Sequence, residues 1–119
     1  MGVGSTAKDV VEIVSSVSPQ VVILDLNMPG NVIEAITTVT EKFSGTKLVA
    51  FTASNNIDTA ISALEAGVLG YVLKGSTLEE LTEAIRLVNR GHAYMSPRIS
   101  ANVIAGLQVK ARARSVPTV

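Results

Sequence analysis

The sequence predicts an α/β domain built on a doubly wound parallel sheet, and three observations carry that prediction. First, apolar runs and amphipathic stretches alternate in the order βαβαβαβα. That is the pattern of parallel strands joined by helical crossovers, right-handed as a rule. Second, Val21-Val22-Ile23-Leu24-Asp25-Leu26 is rich in β-branched residues and almost uninterrupted by polar ones. Strands covered by helices on both faces require such runs. Third, the intervening stretches carry helix start and stop signals at their ends.

Taken in order, Gly2-Val3-Gly4 fits part of an opening strand. Val10, Val11, Ile13 and Val14 line a short helix starting near Thr6, where Thr6 and Asp9 match a variant capping box. The strand at Val21–Leu26 follows. Val32, Ile33, Ile36, Val39 and Phe43 recur at helical spacing, and Lys47–Thr52 is the next strand. Ile57, Ile61 and Leu64 mark a helix that Gly67 stops. Gly70–Lys74 is a further strand. Leu78, Leu81, Ile85 and Val88 make the clearest amphipathic helix, capped by Thr77 with Glu80 and followed by Gly91. After a connecting loop, Ser96 is a good N-cap and Pro97 a good first helical residue. The stripe Ile99, Val103, Ile104 and Leu107 then serves either internal packing or a dimer contact. The division is therefore a domain over 1–91, an extra helix over 92–108 and a frayed basic tail over 109–119.

At 119 residues the chain suits one small domain. Its 47% hydrophobic and 17% charged residues suit a packed core. Phe43, Phe51, Tyr71 and Tyr94 are the aromatics, so that core is aliphatic. Zero net charge argues against a dedicated nucleic-acid binder. No cysteine is present, which excludes disulfides and thiol catalysis. No apolar run approaches the ~18 residues a membrane span needs, and no signal peptide opens the chain. A soluble, cytoplasmic protein is expected.

In open parallel sheets, ligands bind beyond the carboxyl ends of the strands. Asp25, Thr52 and Lys74 each sit at such an end. A carboxylate can attack a phosphoryl group. A hydroxyl and an ammonium can bind phosphoryl oxygens and offset their charge. Alone, Asp25 reads as a strand-end cap, Thr52 as an ordinary β-branched residue and Lys74 as a solvated terminus. Their company gives them a function.

Those residues carry a resemblance. Leu24-Asp25-Leu26-Asn27-Met28-Pro29-Gly30 resembles the phosphoacceptor segment of receiver domains in two-component response regulators. Phe51-Thr52-Ala53-Ser54 resembles their switch-hydroxyl strand, and Gly70-Tyr71-Val72-Leu73-Lys74 the strand with the switch aromatic and lysine. The 22 residues from Thr52 to Lys74 match the family interval. Gly91-His92-Ala93-Tyr94-Met95-Ser96-Pro97 resembles LuxR-type transcriptional regulators. The resemblance implies a flavodoxin-like receiver fold, a non-enzymatic signalling module, and a histidine kinase or other phosphodonor as partner. Asp25 would be phosphorylated and Lys74 would pair with a phosphoryl oxygen. Thr52 and Tyr71 would act as the switch, reshaping the surface from Asn56 to Arg90. Mg²⁺ would be held by Asp25 and the backbone carbonyl of Asn27.

Receivers open with a strand ending in an acidic pair that provides most Mg²⁺ ligation. Here 24 residues precede Asp25, and their only acids, Asp9 and Glu12, fall inside a predicted helix. The reading is thus a receiver lacking the usual first strand and helix, with a weak metal site. The loop after Gly30 also looks shortened. An unpaired sheet edge at Val21–Leu26 predicts a homodimer through that edge or through the helices after Asn56. No DNA-binding domain follows within the chain, although Lys110, Arg112 and Arg114 are basic. Two other functions compete: a degenerate receiver used for phosphorylation-independent interaction, and a phosphoryl hydrolase, which would need a general base beside Asp25.

Overall fold

The computed structural model describes residues 6–53 and 56–114. The elements are α1 (Ala7–Val17), β1 (Val21–Leu24), α2 (Val32–Lys42), β2 (Lys47–Thr52), α3 (Ile57–Ala66), β3 (Gly70–Leu73), α4 (Leu78–Asn89), β4 (Tyr94–Met95) and α5 (Pro97–Arg114). Among the described residues, the strands form one parallel sheet in the order β1-β2-β3-β4. The opening strand expected at Gly2–Gly4 lies outside the described residues.

Local chemistry sets the element ends. The Thr6–Asp9 capping box forms in both directions at α1. Asn31 caps α2, its side chain accepting from the Glu34 amide at 3.0 Å. β1 stops at Leu24, two residues earlier than its sequence suggests. Asp25 turns the chain there by accepting from the Asn27 amide at 2.8 Å. Gly67 ends α3 with φ 127°, where a side chain is strained, and a Cβ there would lie 2.1 Å from Thr40 Oγ1. Glycine therefore serves both the turn and the close approach to α2.

The two sheet faces are covered unequally. One buries Val22, Leu24, Leu48, Ala50, Tyr71 and Leu73 together with residues of α1, α2, α3 and α5. The other buries Val21, Val49 and Val72 against α4. The crossovers through α2 and α3 thus use one face and the crossover through α4 the other. Because the strand order runs in one direction, the α4 crossover has the opposite hand to the first two. A single hand throughout was expected. The exception ends in a two-residue strand, which side chains rather than a long ladder fix in place.

That strand and the full length of α5 were not expected. β4 lies in the predicted loop, and α5 runs to Arg114 rather than giving way to a tail at 109. Within that extension Lys110 on α5 pairs with Glu65 on α3 at 2.6 Å. The apolar stripe also divides. Ile99 and Val103 are fully buried, whereas Ile104 is 55% exposed.

Leu48 is buried at 1% exposure, and Leu78 stands 78% exposed. Leu48→Ala is expected to cost about 2–5 kcal/mol in chemical denaturation, through lost transfer energy and the cavity left behind. Leu78→Ala is expected to stay within about 0.5 kcal/mol of the parent in the same assay.

Candidate functional site

All strands being parallel, their carboxyl ends share one edge of the sheet. Asp25 follows β1, Thr52 ends β2 and Lys74 follows β3. The Lys74 amide donates to the Thr52 carbonyl at 2.7 Å, which continues the β2–β3 pairing by one residue. The Lys74 ammonium reaches past β2 and forms an ion pair with Asp25 Oδ2. It also lies 5.9 Å from the centre of the Phe51 ring, within the range of a weak cation–π attraction. Asp25 Oδ1 accepts from the Asn27 amide. The carboxylate therefore does two things, capping the turn with one oxygen and meeting a cation with the other.

These contacts hold the Asp25 carboxyl below its ordinary value. The hydrogen bond from Lys74 is the main cause, the Asn27 amide adds to it, and partial burial opposes both. The surrounding cleft is lined by Ile23, Asp25, Asn27, Met28, Phe51 and Lys74. Thr52 is not among its lining residues. It is fully buried, and side-chain alternation along β2 turns it to the face of Ala50, opposite Phe51. Tyr71 is fully buried on that same face, and burial pushes its hydroxyl up. Asp25, Asn27 and Lys74 thus converge, while the predicted switch pair lies on the far side of the sheet.

The sequence profile described as response regulator receiver domain matches residues 1–86. The chain belongs to that family. This receiver domain is 31% identical to the nitrate/nitrite response regulator protein NarL of Escherichia coli (strain K12) over 109 residues, covering 91% of the chain and 50% of NarL. It is 37% identical to the transcriptional regulatory protein DesR of Bacillus subtilis (strain 168), covering 83% of the chain and 49% of DesR. The chain thus spans about half the length of these relatives. A solved LuxR-family two-component response regulator from Aurantimonas sp. SI85-9A1 superposes with a TM-score of 0.78 at 30% identity, over 89% of this chain and 76% of that one. The isolated REC domain of RcsB from Salmonella enterica serovar Typhimurium, solved with the phosphomimetic BeF3⁻, matches at a TM-score of 0.71 and 22% identity, over 81% and 72% of the two chains. That last likeness concerns the fold.

The family's ion does not fit the described residues of this receiver. Mg²⁺ demands a near-octahedral set of hard oxygens. Asp25 is the only carboxylate lining the cleft, and both its oxygens already accept hydrogen bonds. Among the described residues no group of three or more acidic, histidine or cysteine side chains is placed to hold a metal ion. Asp9, one of the two acids preceding Asp25, is held in the capping box of α1, and neither it nor Glu12 lines the cleft.

One polar cluster escaped the sequence reading. Glu80 was legible only as half of a capping box with Thr77. Its amide does bond to Thr77 at 3.1 Å. Its carboxylate turns instead to the Tyr94 hydroxyl at 2.8 Å and the Ser96 hydroxyl at 2.9 Å. Burial pushes that carboxyl up, but the hydrogen bonds from Tyr94 and Ser96 and the charge of Arg98 help to bring it below its usual range. Tyr94 is pushed up to about 12 by burial and by Glu80. No local sequence pattern announces a contact across 14 to 16 residues.

Asp25 and Lys74 side chains are 36% and 42% exposed, so their pair contributes modestly to stability. Its pH dependence has a definite sign. The folded carboxyl is depressed, so the contribution is present above the ordinary value of 3.8 and is lost as pH falls through the lower folded value. Lys74→Met is expected to raise the Asp25 midpoint toward 3.8, read from its carboxyl carbon in an NMR titration. An unmoved midpoint would assign the depression to the Asn27 amide instead.

Proposed function

We propose that this receiver accepts a phosphoryl group on Asp25 from a histidine kinase or another phosphodonor and passes the signal to transcription regulation. One observation carries the reading most directly: the only carboxylate of the cleft faces a lysine that arrives from a strand two positions away. In the transfer, a carboxylate oxygen of Asp25 attacks phosphorus, the phosphorus–nitrogen bond of a phosphohistidine breaks, and the imidazole nitrogen keeps the electron pair. Lys74 then exchanges its carboxylate partner for a phosphoryl oxygen, a charge-assisted contact of the same kind. Thr52 and Tyr71 would read the new charge from the far face. The domain acts as a signalling module rather than an enzyme. Transcription enters through relatives such as DesR, a transcriptional regulatory protein. With a histidine kinase as donor, the cytoplasm is the proposed compartment. No helix among the described residues is long and apolar enough to cross a membrane.

Self-association is part of the reading. Among the described strands β1 pairs only with β2, and no charged residue occurs from Val17 to Leu24. Edges without charge or a central proline invite pairing. A homodimer through β1 is proposed, with a concentration-dependent rise in mass by light scattering as its check. The helices after Asn56 offer less, because α5 already packs on α3.

A second reading is a degenerate receiver that works by contact alone. The single carboxylate of the cleft favours it. Acetyl phosphate, supplied with and without Mg²⁺, separates the two. Phosphorylation predicts a mass gain of one phosphoryl group on the peptide holding Asp25, abolished by Asp25→Asn. No gain under either condition leaves the contact-only reading.

A further inference from the structure

The C-terminal helix is gripped at both ends and along its length. At its foot, Ser96 is buried at 1% exposure. Its amide donates to the Tyr71 carbonyl at 2.9 Å. Its hydroxyl oxygen accepts from the Leu73 amide at 3.0 Å, and the hydroxyl donates to Glu80. One serine thus grips β3 on either side of Val72 and ties it to α4. Further along, Ile99 and Val103 are fully buried in the cluster that holds Tyr71 and Leu73. At the crossing with α3 stands Gly106. A Cβ there would lie 2.8 Å from Ile61 Cδ1 and 3.1 Å from Ile57 Cγ2. At the far end, Lys110 pairs with Glu65 of α3.

Apolar anchors, a glycine at the closest approach and polar clamps at each end are the features of a recognised helix, not of a passive tail. We propose that α3 and the end of β3 form a helix-docking surface whose ligand is α5 of this same chain, and that the docked helix holds Tyr71 in its buried position. The surface would then exist in two states, covered and open, with Tyr71 free to leave the core only in the open one. Anything that favours one state changes the other by the same factor, as linkage requires. The foot of the helix touches Leu73, one residue from the lysine that pairs with Asp25. This inference stands whether or not Asp25 is phosphorylated.

The full chain holds two tyrosines, Tyr71 and Tyr94. Labelled with 3-fluorotyrosine it gives two ¹⁹F resonances, assigned with Tyr94→Phe. Shielding from a soluble gadolinium chelate is read for Tyr71, and amide exchange is read across Ile99–Val103. Gly106→Val forces a branched side chain against Ile57 and Ile61. Valine is no poorer a helix former than glycine, so lost protection reports undocking rather than fraying. Exchange of Ile99–Val103 is expected to rise at least about fivefold, as overpacking costs imply, and Tyr71 to become accessible to the chelate. Lys110→Glu, remote from the core, is expected to raise exchange about two- to fivefold, and adding Glu65→Lys to restore it. Unchanged protection in both variants would overturn the docking. Lost protection with Tyr71 still shielded would overturn the hold on Tyr71.

Discussion

The parallel register of β1, β2 and β3 is the constraint on which the site depends. Leu24 stands opposite Ala50, and Thr52 opposite Leu73. Asp25 and Lys74 therefore leave the sheet on the same edge and, by alternation, toward the same face. A shift of one residue in β3 would turn Lys74 to the side of Thr52 and leave the carboxylate without its cation. In doubly wound sheets the deep binding crevice forms where the strand order reverses. The described order β1-β2-β3-β4 has no reversal. The Asp25 cleft is correspondingly open, with both members of the ion pair more than a third exposed.

The far end of the sheet is held by different means. β4 contributes two residues to the ladder, too few to fix a strand by pairing alone. Glu80 makes up the difference by accepting from Tyr94 and Ser96 at once. Burial opposes that carboxylate's charge, and the two hydroxyl donors with Arg98 act against that burial. Removing one hydroxyl would leave the others to share a partly buried charge, so the group behaves as a unit.

Much of this was legible in the sequence because it rests on short-range chemistry. The run Lys47–Thr52 is the strand seen, the Thr6–Asp9 box closes as read, and Gly67 stops its helix. Asp25 and Lys74 were identifiable from residue type and spacing, and the structure brings them together. What the sequence concealed depends on contacts between distant segments. Leu26 reads as strand, yet the chain has already turned at Asp25. Ile104 and Val103 are alike on paper, and only the packing of α5 on α3 makes Val103 core and leaves Ile104 outside. Thr52 reads from sequence only as a strand-end hydroxyl, and alternation along β2 turns its side chain to the face of Ala50. Lys110 looks like part of a tail until Glu65 is found opposite it.

The unreversed strand order also bears on how the molecule is made. Each described strand after β1 adds to the one formed just before it, so no strand waits for a neighbour encoded later. A chain emerging from the ribosome N-terminus first can extend this sheet step by step, each new strand templated by an edge already present. Every intermediate along that route presents one fresh strand edge for the next segment. The last described strand is the two-residue β4, so very little of the growing edge is left to pair on that side of the sheet.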